Sequence, residues 1–186
     1  SRNASALVVS SGLISLIVIM IFKGRQNYNN LNCCKLSDFI NLRCIKIQDT
    51  MKVLLINGSP RSNGNTFTAL KEVAGALGAE GVETEIVSIG ANAVQGCIAC
   101  RKCAELGRCV FNDGLYSSIW EKLRTADGIV IGSPVYYAGP NGSLCALLDR
   151  LFYSAAQLLE YKPATAVAVC RRGGASAALD RLNKYF

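Results

Sequence analysis

An open α/β fold with a parallel sheet is predicted by three observations. From residue 51 onward, apolar runs of strand length recur. Between them lie segments whose apolar residues repeat at helical spacing, and Gly, Pro or polar turns punctuate the series. Strands that are apolar on both faces need helices on both sides, which makes a three-layer α/β/α arrangement.

The elements follow in order. KVLLIN at 52–57 is the first strand, broken by Gly58 and Pro60. Asn65 stands where it can cap a helix over 66–79, in which Phe67, Leu70, Val73, Ala74 and Leu77 form one apolar face. A second strand is predicted over 83–89, and a long cysteine-bearing loop follows it. A helix over 115–126, a third strand over 128–133, a long helix over 142–159 and a fourth strand over 164–170 come next, with a last helix starting near Ala175. In an open α/β sheet the ligand sits outside the carboxyl ends of the strands. The loops at 58–66, 90–113, 133–142 and 171–174 are therefore the functional candidates.

Composition narrows the function classes. A chain of 186 residues, 51% hydrophobic, has material for one good core. The net charge of +7 is spread: residues 1–50 carry six Lys/Arg against two Asp/Glu, and residues 51–186 carry fourteen against eleven. Neither part has a basic cluster with interleaved aromatics, so no nucleic-acid partner is expected. The chain has no histidine, which excludes Ser-His-Asp and Cys-His catalysis and any His-ligated zinc site within it. Nine cysteines, an odd number with four closely spaced, fit a reducing, cytoplasmic setting better than a disulfide framework.

The first fifty residues differ in texture. Residues 6–22 are apolar or small and are followed by Lys23 and Arg25, a length at the lower limit for a membrane span. Residues 26–50 show no sustained period. The stretch 1–50 is read as spurious upstream translation or a poorly ordered extension, with an apolar anchor at 6–22, and hence membrane contact, as the alternative.

The loop Gly58-Ser59-Pro60-Arg61-Ser62-Asn63-Gly64-Asn65-Thr66 opens a helix, whose free N–H groups and positive dipole end make an anion site. It has neither the Lys of a triphosphate loop nor G-x-G-x-x-G. Ser59, Ser62, Asn65 and Thr66 with the charge of Arg61 suit one terminal phosphate. Two units later, Gly132-Ser133-Pro134-Val135-Tyr136-Tyr137-Ala138-Gly139-Pro140 places two aromatics and stiff backbone directly after a strand, a surface suited to a flat ring.

SPRSNGNT after KVLLING, with GSPVYYAGPNG following, resembles the flavodoxin-like NADPH-dependent FMN reductases over residues 51–186. The resemblance implies a flavodoxin-like fold of sheet order 2-1-3-4-5, noncovalent FMN, NAD(P)H as donor, a homodimer or homotetramer, and a small acceptor such as a quinone or flavin. Under it, Ser59, Arg61, Asn65 and Thr66 hold the phosphate, and Pro134, Val135, Tyr136 and Tyr137 meet the isoalloxazine. Arg171-Arg172-Gly173-Gly174 matches the family's third flavin loop, where a cation such as Arg171, beside Gly173, stabilises the anionic reduced flavin. No catalytic acid or base is assigned, because hydride transfer to flavin needs none. The family fold continues through a fifth strand and a covering helix, so the chain is expected to be C-terminally truncated within that fold.

Cys97, Cys100, Cys103 and Cys109 gather four thiols within thirteen residues. Their spacing resembles the compact motif of iron-sulfur flavoproteins, a branch of the same family, and implies a 4Fe-4S cluster that passes single electrons to FMN. The alternative function is then an electron-transfer module between protein partners. Free or redox-active thiols and four-thiolate zinc are the other readings of the loop. Cys145 and Cys170 are expected in the core.

Overall fold

The computed structural model describes residues 50–186 throughout and residues 6–11 and 14–21 as backbone. The expectations for residues 22 and 26–49 lie outside the described residues. The N-terminal segment contributes strands β1 (Ala6–Ser11) and β2 (Ile14–Ile21). Then come β3 (Lys52–Asn57), α1 (Asn65–Ala79), β4 (Glu83–Ser88), the short α2 (Cys103–Leu106) and α3 (Gly114–Thr125). The remainder is β5 (Gly128–Tyr136), the two-residue β6 (Gly139–Pro140), α4 (Gly142–Ser154), α5 (Ala156–Leu159), β7 (Ala164–Cys170) and α6 (Ala175–Asn183).

The strand order is β1-β2-β7-β5-β3-β4, with β6 paired to β5. From β4 to β7 the pairs are all parallel, which is the expected 2-1-3-4 arrangement. The position beyond β7 is occupied by β2, which runs antiparallel with Ser15 opposite Cys170 and Ile21 opposite Ala164. β1 pairs antiparallel to β2 outside it. Among the described residues no helix is long and apolar enough to cross a membrane.

Alternation along the strands divides the core in two. Leu54, Ile56, Ile129, Ile131, Ala166 and Ala168 pack on the face covered by Ile119 and Leu123 of α3, Leu144, Leu147 and Leu151 of α4, and Leu179 and Leu182 of α6. Val53, Leu55, Val130, Val167 and Val169 face Ala69 and Leu70 of α1. A slip of one residue would exchange the two sets, so the register is strongly specified.

Three boundaries differ from expectation in ways that bear on the site. The residue at the start of α1 is Gly64, which has no side chain to cap with, and Asn65 is the first helical residue. β5 runs on through Pro134, Val135 and Tyr136 instead of ending at Ser133, because β6 folds back to pair with it: Val135 faces Pro140 and Tyr136 faces Gly139. The long helix is broken at Ala155, which leaves helical geometry at φ −115° and separates α4 from α5.

Candidate functional site

Because β3, β4, β5 and β7 are parallel, the loops after them leave the same edge of the sheet, and two of these junctions are locked by direct contacts. Gly58 N–H donates to the Gly132 carbonyl at 2.7 Å. A Cβ on Gly58 would lie 2.7 Å from that oxygen and 2.4 Å from Leu144 Cδ2, so only glycine allows the loop to run this close to β5. At the other junction, Gly174 has φ +90°, and a Cβ there would meet Ala138 Cα at 2.8 Å. The loop after β7 thus rests on the loop after β5.

Asn57 shapes the loop at 58–66 from beneath. Fully buried, it accepts from Ser59 N at 3.2 Å through Oδ1 and donates through Nδ2 to Ser88 Oγ at 3.0 Å and the Ser62 carbonyl at 3.4 Å. Ser59 Oγ accepts from Arg61 N at 3.1 Å. Of the expected phosphate residues, Ser59 and Thr66 are buried in the loop floor, whereas Arg61, Ser62 and Asn65 are exposed at its rim. The first turn of α1 carries no acidic residue and no side-chain cap. Its leading N–H groups therefore point outward, as an anion site requires. Among the described residues Arg61, Arg171 and Arg172 join none of the ion pairs, which leaves their charge for a ligand.

The residues expected to meet the ring are graded in exposure. Pro134 and Val135 are half-buried, Tyr136 is 49% exposed and Tyr137 projects fully into solvent. Tyr137 and Ala138 both sit in the left-handed region, at φ 50° and 61°. Such backbone costs energy in non-glycine residues and concentrates at ligand-binding turns. Arg171 and Gly173 are exposed on the adjoining loop.

The cysteine loop is built differently. Cys97, Cys100, Cys103 and Cys109 all line one cavity of about 110 Å³, walled by Phe111, Arg150, Tyr153 and Ser154. Ala99 and Arg101, which flank Cys100, are left-handed at φ 53° and 58°. Cys97 Sγ accepts from Ala99 N at 3.4 Å, and Cys103 Sγ lies 3.9 Å from the Tyr153 carbonyl. Among the described residues, no three Cys, His, Asp or Glu side chains are gathered as a single metal ion needs. Zinc, with four bonds of about 2.3 Å to one centre, asks for the tightest gathering. All four thiols line one cavity and two of them accept N–H donors, which is the donor chemistry that an iron-sulfur cluster would use if the loop held one.

Sequence reasoning missed the residue that holds this loop. Arg150 of α4 is 1% exposed. Its Nη2 lies 2.6 Å from Asp113 Oδ2 and 2.6 Å from the Phe111 carbonyl, Nη1 donates to the Gln95 carbonyl at 3.3 Å, and Nε donates to Cys109 Sγ at 3.4 Å. The guanidinium also lies over the Tyr116 ring, 4.7 Å from its centroid. Burial opposes its charge, but Cys109 and Asp113 hold its pKa above the ordinary value. Asp113 is pushed up by burial and pulled down further by the Tyr116 N–H and Arg150, so it ends below the ordinary carboxylate value. Tyr116 is buried too: its hydroxyl accepts from Cys109 N at 2.9 Å and pairs with Ser154 Oγ at 2.6 Å. The available signal was a cation in the apolar stripe of Leu144, Leu147, Leu148 and Leu151. Asn141 was missed as well, although a polar residue two before Ser143 at a helix start is a cap pattern.

Cys170 is buried, as expected, and Cys145 is half-buried, with its thiol pKa raised by burial.

Comparison with known proteins bears on the family and the fold. The family model described as NADPH-dependent FMN reductase matches residues 51–186. An iron-sulfur flavoprotein of Methanocaldococcus jannaschii is 37% identical over 139 residues, spanning 73% of this chain and 72% of that protein. A second iron-sulfur flavoprotein of that organism is 32% identical over 142 residues, spanning 73% and 71%. Among solved structures, RosB with bound 8-demethyl-8-formylriboflavin-5'-phosphate aligns at a TM-score of 0.58 and 19% identity, over 73% of this chain and 58% of that one. FerB of Paracoccus denitrificans, an NAD(P)H:acceptor oxidoreductase, aligns at 0.53 and 15% identity, over 73% and 71%. At these identities the structural likeness speaks for the fold, which is flavodoxin-like. The sequence matches carry the assignment further: this chain belongs to the NADPH-dependent FMN reductase family.

Proposed function

We propose that the chain holds FMN across the loops after β3, β5 and β7 and works as an NAD(P)H-dependent oxidoreductase that passes electrons to a small acceptor such as a quinone or a flavin. The observation that carries this reading is the junction of an uncapped helix N-terminus with two further loops, through Gly58 on Gly132 and Gly174 on Ala138. When bound, FMN supplies two-electron exchange with a nicotinamide and one-electron exchange with other carriers. The protein's part is binding and electrostatics. Ser59, Ser62, Asn65, Thr66 and the first-turn N–H groups would hold the phosphate, with Arg61 adding charge. Pro134, Val135, Tyr136 and Tyr137 would seat the ring, and Arg171 beside Gly173 would offset negative charge on it. The flavin-binding unit in this reading is 51–186, 1–50 are an extension not needed for FMN, and the protein is a cytoplasmic homo-oligomer.

The test is a titration of the purified chain with FMN, followed by steady-state NADH and NADPH oxidation with a quinone acceptor. Saturable binding and acceptor-dependent turnover support the reading. Absence of FMN binding removes it.

A second reading is favoured by the cysteine cavity: Cys97, Cys100, Cys103 and Cys109 hold a 4Fe-4S cluster, and the protein relays single electrons between partners. It is supported by donors placed on Cys97 and Cys109 and by relatives named iron-sulfur flavoproteins. Iron and sulfide analysis after anaerobic reconstitution tests it. Near-zero iron leaves the plain flavin reductase, while iron retention without NAD(P)H turnover favours the relay.

A further inference from the structure

We infer that Arg150 is the positioning residue of the four-cysteine site, closing its loop and setting the charge beside Cys109. This rests on the reading that the cysteines hold an iron-sulfur cluster.

Four observations converge on it. The side chain reaches both ends of the loop, binding the Gln95 carbonyl just before Cys97 and the Phe111 carbonyl just after Cys109. A single planar fork thus spans the segment that carries all four thiols. Second, its Nε donates directly to Cys109 Sγ at 3.4 Å. Third, the guanidinium is buried and permanently charged, so its field at the sulfur is poorly screened. Fourth, its one carboxylate partner among the described residues, Asp113, is 44% exposed as a side chain and so neutralises that field only in part.

Four thiolates around one cluster accumulate negative charge, and hydrogen bonds to the sulfurs together with nearby charge set the reduction potential. Arg101, Lys102 and Arg108 are exposed, and their charge is screened by water. Arg150 is the buried cation on this cavity. Its helix fixes it as well: α4 is anchored at its start by Asn141, and Leu147, Leu148 and Leu151 around Arg150 are buried in the core.

Two opposite substitutions separate this role from a merely structural one. Arg150→Gln removes the charge and keeps a donor, so the cluster potential should fall. Asp113→Asn keeps the cap on Tyr116 N and removes the opposing charge, so the potential should rise. Arg150→Lys keeps the charge without the fork; it should hold the potential near wild type but retain less than half of the iron after a fixed challenge with chelator. The experiment uses the full chain, reconstituted anaerobically with iron and sulfide. It reads iron per chain, the EPR spectrum of the reduced cluster and the potential by redox titration, with FMN retention as the control for folding. A tenfold change in the one-electron equilibrium, 59 mV, in opposite directions for Arg150→Gln and Asp113→Asn, supports the inference. Unchanged potential, spectrum and iron content in all three variants overturn it while the cluster reading stands. A wild-type chain that takes up no iron overturns both. If Arg150→Gln loses FMN as well as iron, the Asp113→Asn and Arg150→Lys pair decides alone.

Discussion

Asn141 Nδ2 donates to the Gly58 carbonyl at 2.8 Å, a bond across 83 residues of chain that ties the start of α4 to the loop after β3. The same side chain caps α4 by accepting from Ser143 N at 3.1 Å, and its own N–H donates to Ser133 Oγ at 3.0 Å. Asn141→Ala should therefore leave a buried acceptor unpaired at about 1–3 kcal/mol and lose a cap at about 1 kcal/mol. The expected outcome is a lower urea midpoint and weaker FMN binding, although Asn141 is not assigned a ligand contact. Full stability with unchanged FMN affinity would show that the loop holds its shape without this bond.

Ser59→Ala combined with Thr66→Val should weaken FMN by about 3 kcal/mol or more, since each hydrogen bond to a charged acceptor is worth roughly 1.5–3 kcal/mol. That is about a hundredfold in the dissociation constant, read by flavin fluorescence. Part of the loss will come from Ser59, whose Oγ also orders Arg61. An FMN affinity equal to wild type removes the phosphate assignment.

Tyr137 projects fully into solvent, so its ring contributes little to the fold. Tyr137→Ala should change stability by no more than about 0.5 kcal/mol. If the ring meets the isoalloxazine, FMN affinity should drop up to about tenfold, and Tyr137→Phe should restore it. A comparison of thermal midpoints and FMN titrations for the two variants checks both halves.

Acid should destabilise the protein through Glu85 in particular. Its hydrogen bond from Lys122, the Lys122 charge and the nearby Lys52 hold its pKa below the ordinary 4.5. A carboxylate with a depressed folded pKa contributes stability above its unfolded value and loses it as pH falls through the folded one. Stability should be level near pH 6 and fall below about pH 4.5, with Asp113 adding to the loss below its ordinary 3.8. Glu85→Gln should flatten part of that slope in urea titrations at pH 3.5–6, while costing about 1 kcal/mol or less at neutral pH. A slope equal to wild type would assign the acid sensitivity elsewhere.

The division between what sequence and tertiary structure each decided follows from the range of the forces involved. Strand and helix positions from residue 51 were legible because apolar periodicity is local, and Gly58, Pro60 and Gly64 mark the loop by backbone chemistry alone. The parallel sheet, with its loops at one edge, follows from the alternation of these elements. Tertiary structure decided the rest. β5 extends past Ser133 because β6 pairs back onto it, a contact with no periodic signature. The helix break at Ala155 could not be read from a sequence that is apolar on both sides of it. β2 beside β7 is a pairing between segments about 150 residues apart, and no local rule predicts it. The roles of Asn141 and Arg150 arise in the same way: the sequence marks each only as a cap pattern or a cation in an apolar stripe, and each gains its meaning from partners 83 and 37–55 residues away. Short-range propensity determines which elements form. Buried long-range hydrogen bonds determine how their loops meet, because a polar group taken out of water must find its partner wherever the fold brings one.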